Sequence, residues 1–162
     1  MIRGTVLEPA RLDLCDAAQE RFEVFASAVV SSKADLYGGK ICAAMDRQHP
    51  RDFFDVMLLL DNEGLTEEIR KAFIVYLISH SRPMAELLNA RDKLLKRIHS
   101  DLTTNERKFI LSVKKLHPSW DLLGVNGIDI LPTVQWKLQN LGRMDKEKHS
   151  VAVERLKRCL DL

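Results

Sequence analysis

The spacing of apolar residues is the feature that most constrains how this chain can fold. From residue 33 onward these residues recur at intervals of three and four, the period of one face of an α-helix. Capping and stop residues divide the pattern into predicted helices at 33–46, 50–62, 65–80, 83–97, 103–116, 132–142 and 145–160. Residues 2–7 and 21–30 have the composition of strands. The sequence predicts a mainly α (α+β) fold, with two short N-terminal strands followed by a bundle of about six or seven helices.

Size and composition predict one globular domain. The chain has 162 residues, of which 46% are hydrophobic, and this is enough for a single core. We expect one domain over residues 1–162, with the strands in residues 1–30 and the helices in residues 31–162. No apolar stretch has the roughly 18 residues of a membrane-spanning helix, and the first residues lack the apolar segment of a secretory signal. These features predict a cytoplasmic protein without a membrane partner.

Charge and metal-ligand residues give little information about partners. A net charge of +2 is too small to indicate nucleic acid or an anionic membrane by itself. Basic residues in the later helices alternate with acidic ones, which is more typical of a solvated face than of an RNA-binding surface. The cysteines and histidines are too scattered for a local metal motif: Cys15, Cys42, Cys159, His49, His80, His99, His117 and His149. We predict reduced thiols and no metal site built from local motifs.

Residues 38–60, GGKICAAMDRQHPRDFFDVMLLL, open with two glycines and a lysine. The Walker phosphate loop needs Gly where this chain has Ala34, and Ser or Thr where it has Ile41, so the match fails at two positions. The glycines lie within a helical pattern, where each costs about 1 kcal/mol relative to Ala. They therefore indicate a close approach, either by a neighbouring helix or by a ligand.

A carboxylate in the middle of an apolar helix is the main candidate for a functional group. Asp55 lies in the run FFDVMLLL, so we expect it to be at least half buried and to need a cation. Lys40, Arg47 and Arg51 are the nearby cations, and helical spacing places Lys40 and Arg47 on one face. Asp52 lies in the first turn, where it favours the helix dipole. The pairing fits two alternatives: a structural ion pair between helices, or a pocket for a phosphorylated or metal-bound ligand.

The segment containing these residues resembles a known family. The stretch K.CAAMDRQHPRDFFDVMLLL is similar to the segment that identifies the AbiEii/AbiGii family of nucleotidyltransferase-like toxins. In that family a helix bearing a lysine is followed by an arginine and then by an Arg-Asp-x-x-Asp helix. Arg3 and Gly4 match the strand that precedes this motif, and LPTVQWKLQNLGRMDKEK, at residues 131–148, resembles the family's C-terminal helix. The resemblance extends over nearly the whole chain.

The resemblance implies a fold, an activity and partners. It implies a polymerase-β-type nucleotidyltransferase, the toxin of a toxin–antitoxin or phage-defence system, which uses Mg²⁺ and a nucleoside triphosphate. The implied partners are a cognate antitoxin and an RNA acceptor. By position, Lys40 and Asp55 are the implied catalytic residues. Lys40, with Arg47 and Arg51, binds the nucleotide phosphates in this interpretation, and Asp52 completes the motif.

The chain departs from the family pattern at the metal site. Relatives have a Gly-Ser strand turn followed by an Asp-x-Asp pair that binds two metal ions, and this sequence contains neither Gly-Ser nor Asp-x-Asp. Strand 2–7 also follows Met1 with no earlier element to pair with. We therefore expect a truncated enzyme, inactive alone, in which residues 1–30 are remnant strands of the nucleotidyltransferase core.

Two other interpretations of the chain stay open. The first is a stand-alone helical binding module that associates with an antitoxin, with RNA or with a second copy of itself, which would also cover exposed strand edges in a homo-oligomer. The second sets the resemblance aside and describes a helical structural protein with one buried ion pair. An open cleft containing Lys40 and Asp55 would favour the transferase interpretation, whereas a sealed pair would favour the structural one.

Overall fold

The computed structural model describes residues 4–89 and 93–162, and it begins with a two-stranded antiparallel sheet. Strand β1 (Ala10–Asp13) pairs with β2 (Ser27–Val30), with Ala10 opposite Val30 and Asp13 opposite Ser27. Helix α1 (Asp16–Phe22) connects the strands. Every residue of both strands is exposed, so the sheet does not contribute to the core.

The elements that follow in the described ranges are helical, and the predicted mainly α fold is confirmed. They are α2 (Lys33–Arg47), α3 (Pro50–Asn62), α4 (Glu67–Ser79), α5 (Met84–Leu88), α6 (Lys93–Ser100), α7 (Thr104–Lys114), a 3₁₀ turn (Trp120–Leu122), α8 (Pro132–Gly142) and α9 (Lys146–Cys159). Within the described ranges, none of these helices combines the length and apolar character needed to span a membrane.

The N-terminal elements differ from the prediction. Residues 4–7 of the predicted first strand do not pair with another strand in the described ranges. The amides of Val6 and Leu7 instead donate to the carboxylate of Asp35 at 2.8 and 3.0 Å. Residues 1–3 lie outside the described residues. The predicted second strand is confirmed only for its last part, β2, and helix α1 was not predicted.

Other differences concern the helix boundaries. The predicted helix 83–97 corresponds to α5 and α6, and residues 90–92 between them lie outside the described residues. Two predicted helices start at capped residues: Thr103 and Glu106 form a capping box at α7, and Asp145 accepts from the amides of Glu147 and Lys148 at the start of α9. Local side-chain chemistry therefore fixes these helix starts.

Helix α4 lies at the centre of the core, and its close contact with α2 positions the candidate site. Phe73, Ile74, Leu77 and Ile78 of α4 are fully buried. Gly38 of α2 packs so closely that a Cβ there would lie 2.7 Å from the backbone nitrogen of Phe73. The neighbouring helix, rather than a ligand, therefore explains this glycine. Helix α3 packs along α2 on a different side, and the two helices hold the predicted site residues.

Candidate functional site

Lys40 of α2 and Asp55 of α3 form an ion pair. The ammonium of Lys40 donates to Oδ2 of Asp55, and the two side chains are 34% and 28% exposed. Asp55 lies beside the buried Val56 and Leu59, so its helix is anchored in the core while its carboxylate faces partly outward. The pair is therefore more than half buried but accessible to solvent.

The ion pair lines an open cleft of about 640 Å³ between α2 and α3. Small residues of α2 leave room for the cleft, since Gly39 and Ala43 both line it. All five residues predicted for the site face this space: Lys40, Arg47, Arg51, Asp52 and Asp55. Leu36 and His49 also line the cleft. The arrangement is the open cleft that the functional alternative requires, and it differs from a pair sealed inside the bundle.

The two arginines of the cleft differ in their pairing. Nη2 of Arg47 donates to Asp52 at 3.2 Å, and the Arg47 side chain is 63% exposed. Arg51 is also exposed, and its guanidinium makes no hydrogen bond or ion pair with any residue in the described ranges. The cleft therefore holds three cations and two carboxylates, and Arg51 is the cation whose hydrogen-bond donors are available to a ligand.

The N-terminus of α3 opens onto the same cleft. His49 caps the helix, and its Nδ1 accepts from the amide of Arg51 at 3.2 Å. Pro50 occupies the first turn, where its missing N–H costs nothing. The helix dipole adds partial positive charge at this end, which favours an anion near the arginines. The side chains and the dipole together suit a ligand with several anionic oxygens, such as a phosphate chain.

The described residues of the cleft do not fit a magnesium ion. Magnesium needs carboxylate and carbonyl oxygens that are free to coordinate it, but Asp52 and Asp55 each accept from a cation, Arg47 and Lys40. Within the described ranges, no group of three or more His, Cys, Asp or Glu residues could hold a metal. The cleft is therefore suited to bind anions rather than a metal ion.

A second carboxylate, Asp35 on α2, was not among the predicted site residues. Its side chain is buried, with 3% exposure, and it accepts from Tyr76 at 3.0 Å as well as from the amides of Val6 and Leu7. Ser32 both caps α2 and donates its hydroxyl to Asp35 at 2.9 Å. The sequence signal was Ser-x-x-Asp, which resembles a capping box but has the shorter acid at the third position.

Comparison with known proteins gives one family. The model described as "Nucleotidyl transferase AbiEii toxin, Type IV TA system" matches residues 1–140, which include the α2–α3 cleft and most of α8. No curated protein and no solved structure gives a match. The family match covers well over half of the 162 residues. The chain therefore belongs to the AbiEii family of nucleotidyl transferase toxins, which are part of type IV toxin–antitoxin systems.

Proposed function

We propose that the α2–α3 cleft binds the phosphates of a nucleoside triphosphate and forms the substrate-binding part of a nucleotidyltransferase site. One observation carries this proposal: the Lys40–Asp55 pair faces an open cleft that also contains Arg47 and Arg51, and the Arg51 guanidinium has no partner among the described residues. A structural ion pair needs neither the cleft nor additional cations. Three cations with two carboxylates leave a net positive site for an anion.

In this proposal the cations act in sequence. The guanidinium donors of Arg51 bind no other described residue, and Arg51 makes the first contact with a phosphate, because a guanidinium matches two phosphate oxygens at once. Lys40 then moves its ammonium from the carboxylate of Asp55 to a phosphate oxygen, and Arg47 assists from the rim. Asp55 holds the Lys40 side chain in position before the nucleotide binds. The pair therefore preorganises a flexible lysine for phosphate binding.

The proposed reaction is that of the family. A nucleotidyl group moves from the triphosphate to a hydroxyl of an RNA acceptor; the bond to the leaving phosphates breaks, pyrophosphate is released and the hydroxyl proton passes to solvent. The sequence contains no Asp-x-Asp pair, so we infer that residues 1–162 alone do not catalyse transfer. A complete transferase that contains this cleft would act in the cytoplasm as a toxin in phage defence, with a cognate antitoxin as its partner.

Lysine footprinting tests the binding proposal on the unmodified protein. The chain is acetylated with and without ATP, and the modification rate of each lysine is measured by mass spectrometry. We expect ATP to slow acetylation of Lys40 several-fold, because a phosphate covers its ammonium. Lys33 is the internal control, since it lies on the same helix, is 75% exposed and pairs with Glu63. Equal protection of the two lysines, or none, would contradict the proposal.

A transfer assay tests the inference about activity. The chain is incubated with magnesium, labelled nucleoside triphosphates and total RNA. We expect no labelled RNA, because the metal-binding carboxylates of the family are missing from the sequence. Strong transfer that disappears in Asp55→Ala would show that the metal ligands had been assigned to the wrong place.

The exposed N-terminal sheet supports the second candidate, a binding module. Helix α1, strand β2 and the loop between them present large apolar side chains to solvent: Phe25 is 90% exposed, Val29 67% and Phe22 66%. Such a patch is typical of a surface that a protein partner covers. If this candidate is correct, Phe25→Ser reduces association with the antitoxin or with a second copy in sedimentation experiments, and ATP footprinting gives no protection of Lys40.

A further inference from the structure

A second cavity lies between α5 and α9 and shares no lining residue with the α2–α3 cleft. Its volume is about 460 Å³, within the size range of small-molecule sites. Apolar residues form most of its walls: Pro83, Met84, Ala85, Val151, Ala152 and Leu156. Met84, Ala85 and Leu156 are buried, so they form the deep part of the cavity.

Among the described residues that line the cavity, Lys114 is the buried cation. This residue is 7% exposed, and its ammonium makes no hydrogen bond or ion pair with any residue in the described ranges. Burial lowers the pKa of Lys114 below its ordinary value. A lysine in the last turn of α7 interacts favourably with the negative end of the helix dipole, but that interaction does not require burial. A lysine side chain that is largely buried, with no carboxylate partner in the described ranges, therefore needs another explanation.

The charges at the mouth of the cavity do not neutralise Lys114. Glu86 is engaged by Arg82 at 3.8 Å and by Arg155 at 3.9 Å. Asp145 uses its carboxylate to cap α9. The other charged residues of the lining, Glu147 and Lys148, are exposed and of opposite sign. The rim therefore has three carboxylates and two cations, none of which pairs with Lys114 in the described ranges, and the positive charge of Lys114 lies deeper in the cavity.

A second buried lysine increases the local positive charge. Lys137 lies next to Lys114 in a smaller cavity, and its ammonium donates to the carbonyls of His80 and Arg82. Burial and the charge of Lys114 lower the pKa of Lys137 to about 8. Lys137 has carbonyl acceptors, whereas Lys114 has none among the described residues. An anion beside Lys114 would offset both its desolvation and its repulsion of Lys137.

We propose that this cavity binds a small amphipathic anion, whose apolar body packs against Met84, Ala85 and Leu156 and whose single anionic head contacts Lys114. The apolar walls favour a hydrocarbon or aromatic body, because they offer it buried surface and no polar partner. The single ammonium of the largely buried Lys114 selects one carboxylate, sulfonate or similar head. The ligand class is thus distinct from the polyanionic nucleotides of the α2–α3 cleft.

Calorimetric titration with octanoate tests the proposal. We expect octanoate to bind the wild-type chain and to bind Lys114→Met about tenfold or more weakly, because a charge-assisted contact is lost. Lys148→Met is the matched control; it removes an exposed lysine from the mouth of the same cavity, and we expect it to change the affinity by less than about threefold. The uncharged 1-octanol should not distinguish wild type from Lys114→Met.

Two results would overturn the proposal. One is equal binding of octanoate to wild type and Lys114→Met; the other is no binding to wild type at millimolar concentration. Ala152→Leu gives a separate check that leaves the lysine in place. It narrows the cavity, so we expect weaker octanoate binding with an unchanged near-UV spectrum, and unchanged binding would place octanoate elsewhere.

Discussion

Asp35 and Asp55 are carboxylates on neighbouring helices, but their surroundings differ in almost every respect. Asp35 is 3% exposed and accepts hydrogen bonds from two backbone amides and two hydroxyls, those of Val6, Leu7, Ser32 and Tyr76. Asp55 is 28% exposed, and its partner among the described residues is the ammonium of Lys40. Both helices are otherwise anchored by buried apolar residues.

The difference separates a carboxylate that holds the fold from one that is available for function. Each donor to Asp35 would lose its partner if the carboxylate were removed, and segment 4–9 would lose its attachment to α2. Asp55 faces an open cleft, so water can replace Lys40, and Lys40 can exchange its partner for a ligand. The same helix pair thus contains a rigid anchor and an exchangeable ion pair.

The largest expected effect is that of Asp35→Ala. We expect the free energy of unfolding to fall by about 3 kcal/mol or more, because several buried donors lose their acceptor together. Urea unfolding measures this change, and hydrogen exchange should show faster exchange of the Val6 and Leu7 amides. Asp61→Ala is the control, since this carboxylate of α3 is exposed. Similar free energies of unfolding for the two variants would contradict the role of Asp35 in holding the fold together.

Gly38→Ala should have the next largest effect. The added Cβ would lie 2.7 Å from the Phe73 nitrogen and 2.9 Å from the Ala72 carbonyl carbon, so α2 and α4 must separate. We expect a loss of about 2 kcal/mol in urea unfolding. Gly39→Ala is the matched control, because its nearest neighbours are ring atoms of Tyr76 at 3.9 Å. Its higher helix propensity should stabilise the chain by up to about 1 kcal/mol, and a loss as large as that of Gly38→Ala would contradict the packing argument.

Burial also distinguishes the lysines, and the buried Lys137 makes the stability of the fold depend on pH. Lys137 has a pKa of about 8 in the fold against an ordinary value of 10.5. Between these values the unfolded chain binds more protons than the folded chain, so stability rises with pH from about 8 to 10.5. We expect a gain of about 1–2 kcal/mol between pH 7 and 9.5 in urea unfolding.

Lys114→Met sharpens this pH prediction. Lys114 lowers the pKa of Lys137, and burial also lowers its own pKa, so its removal should reduce the rise of stability with pH. Lys148→Met, at an exposed position, should leave the rise unchanged. A stability that falls or stays constant over the pH range would contradict the assignment.

Asp55→Asn should have the smallest effect on stability. The ion pair with Lys40 is partly exposed, and such pairs contribute little, so we expect a change below about 1 kcal/mol in urea unfolding. The cleft charge becomes more positive in this variant. A loss of stability as large as that of Asp35→Ala would make Asp55 a structural residue. It would support the alternative of a helical structural protein with one buried ion pair.

The sequence predicted much of the helical part and less of the rest. Helices α2, α3, α8 and α9 were predicted close to their observed bounds, because their apolar spacing and caps agree. The first strand was placed too early, because the amides of Val6 and Leu7 bond to Asp35, a contact between residues about 28 positions apart. A strand pattern in one short segment carries no information about such a distant partner.

For the candidate site, too, local sequence patterns predicted some residues and missed those that depend on distant contacts. The sequence indicated that Lys40 lies near Asp55, because a carboxylate in an apolar helix needs a cation. The structure shows this ion pair and places all five predicted residues in one cleft. Their roles in nucleotide binding stay predictions. Asp35, Lys114 and Lys137 were missed, since each depends on contacts between distant elements rather than on local spacing.

The most direct test of the central proposal is the affinity of ATP for Lys40→Met, measured by calorimetry beside wild type and Lys33→Met. Both variants remove one lysine from α2, but Lys40 lines the cleft and Lys33 does not. We expect ATP to bind Lys40→Met about tenfold or more weakly than wild type, because a charge-assisted contact is lost, and to bind Lys33→Met as tightly as wild type. Equal affinity for all three proteins, or no binding by any of them, would contradict it.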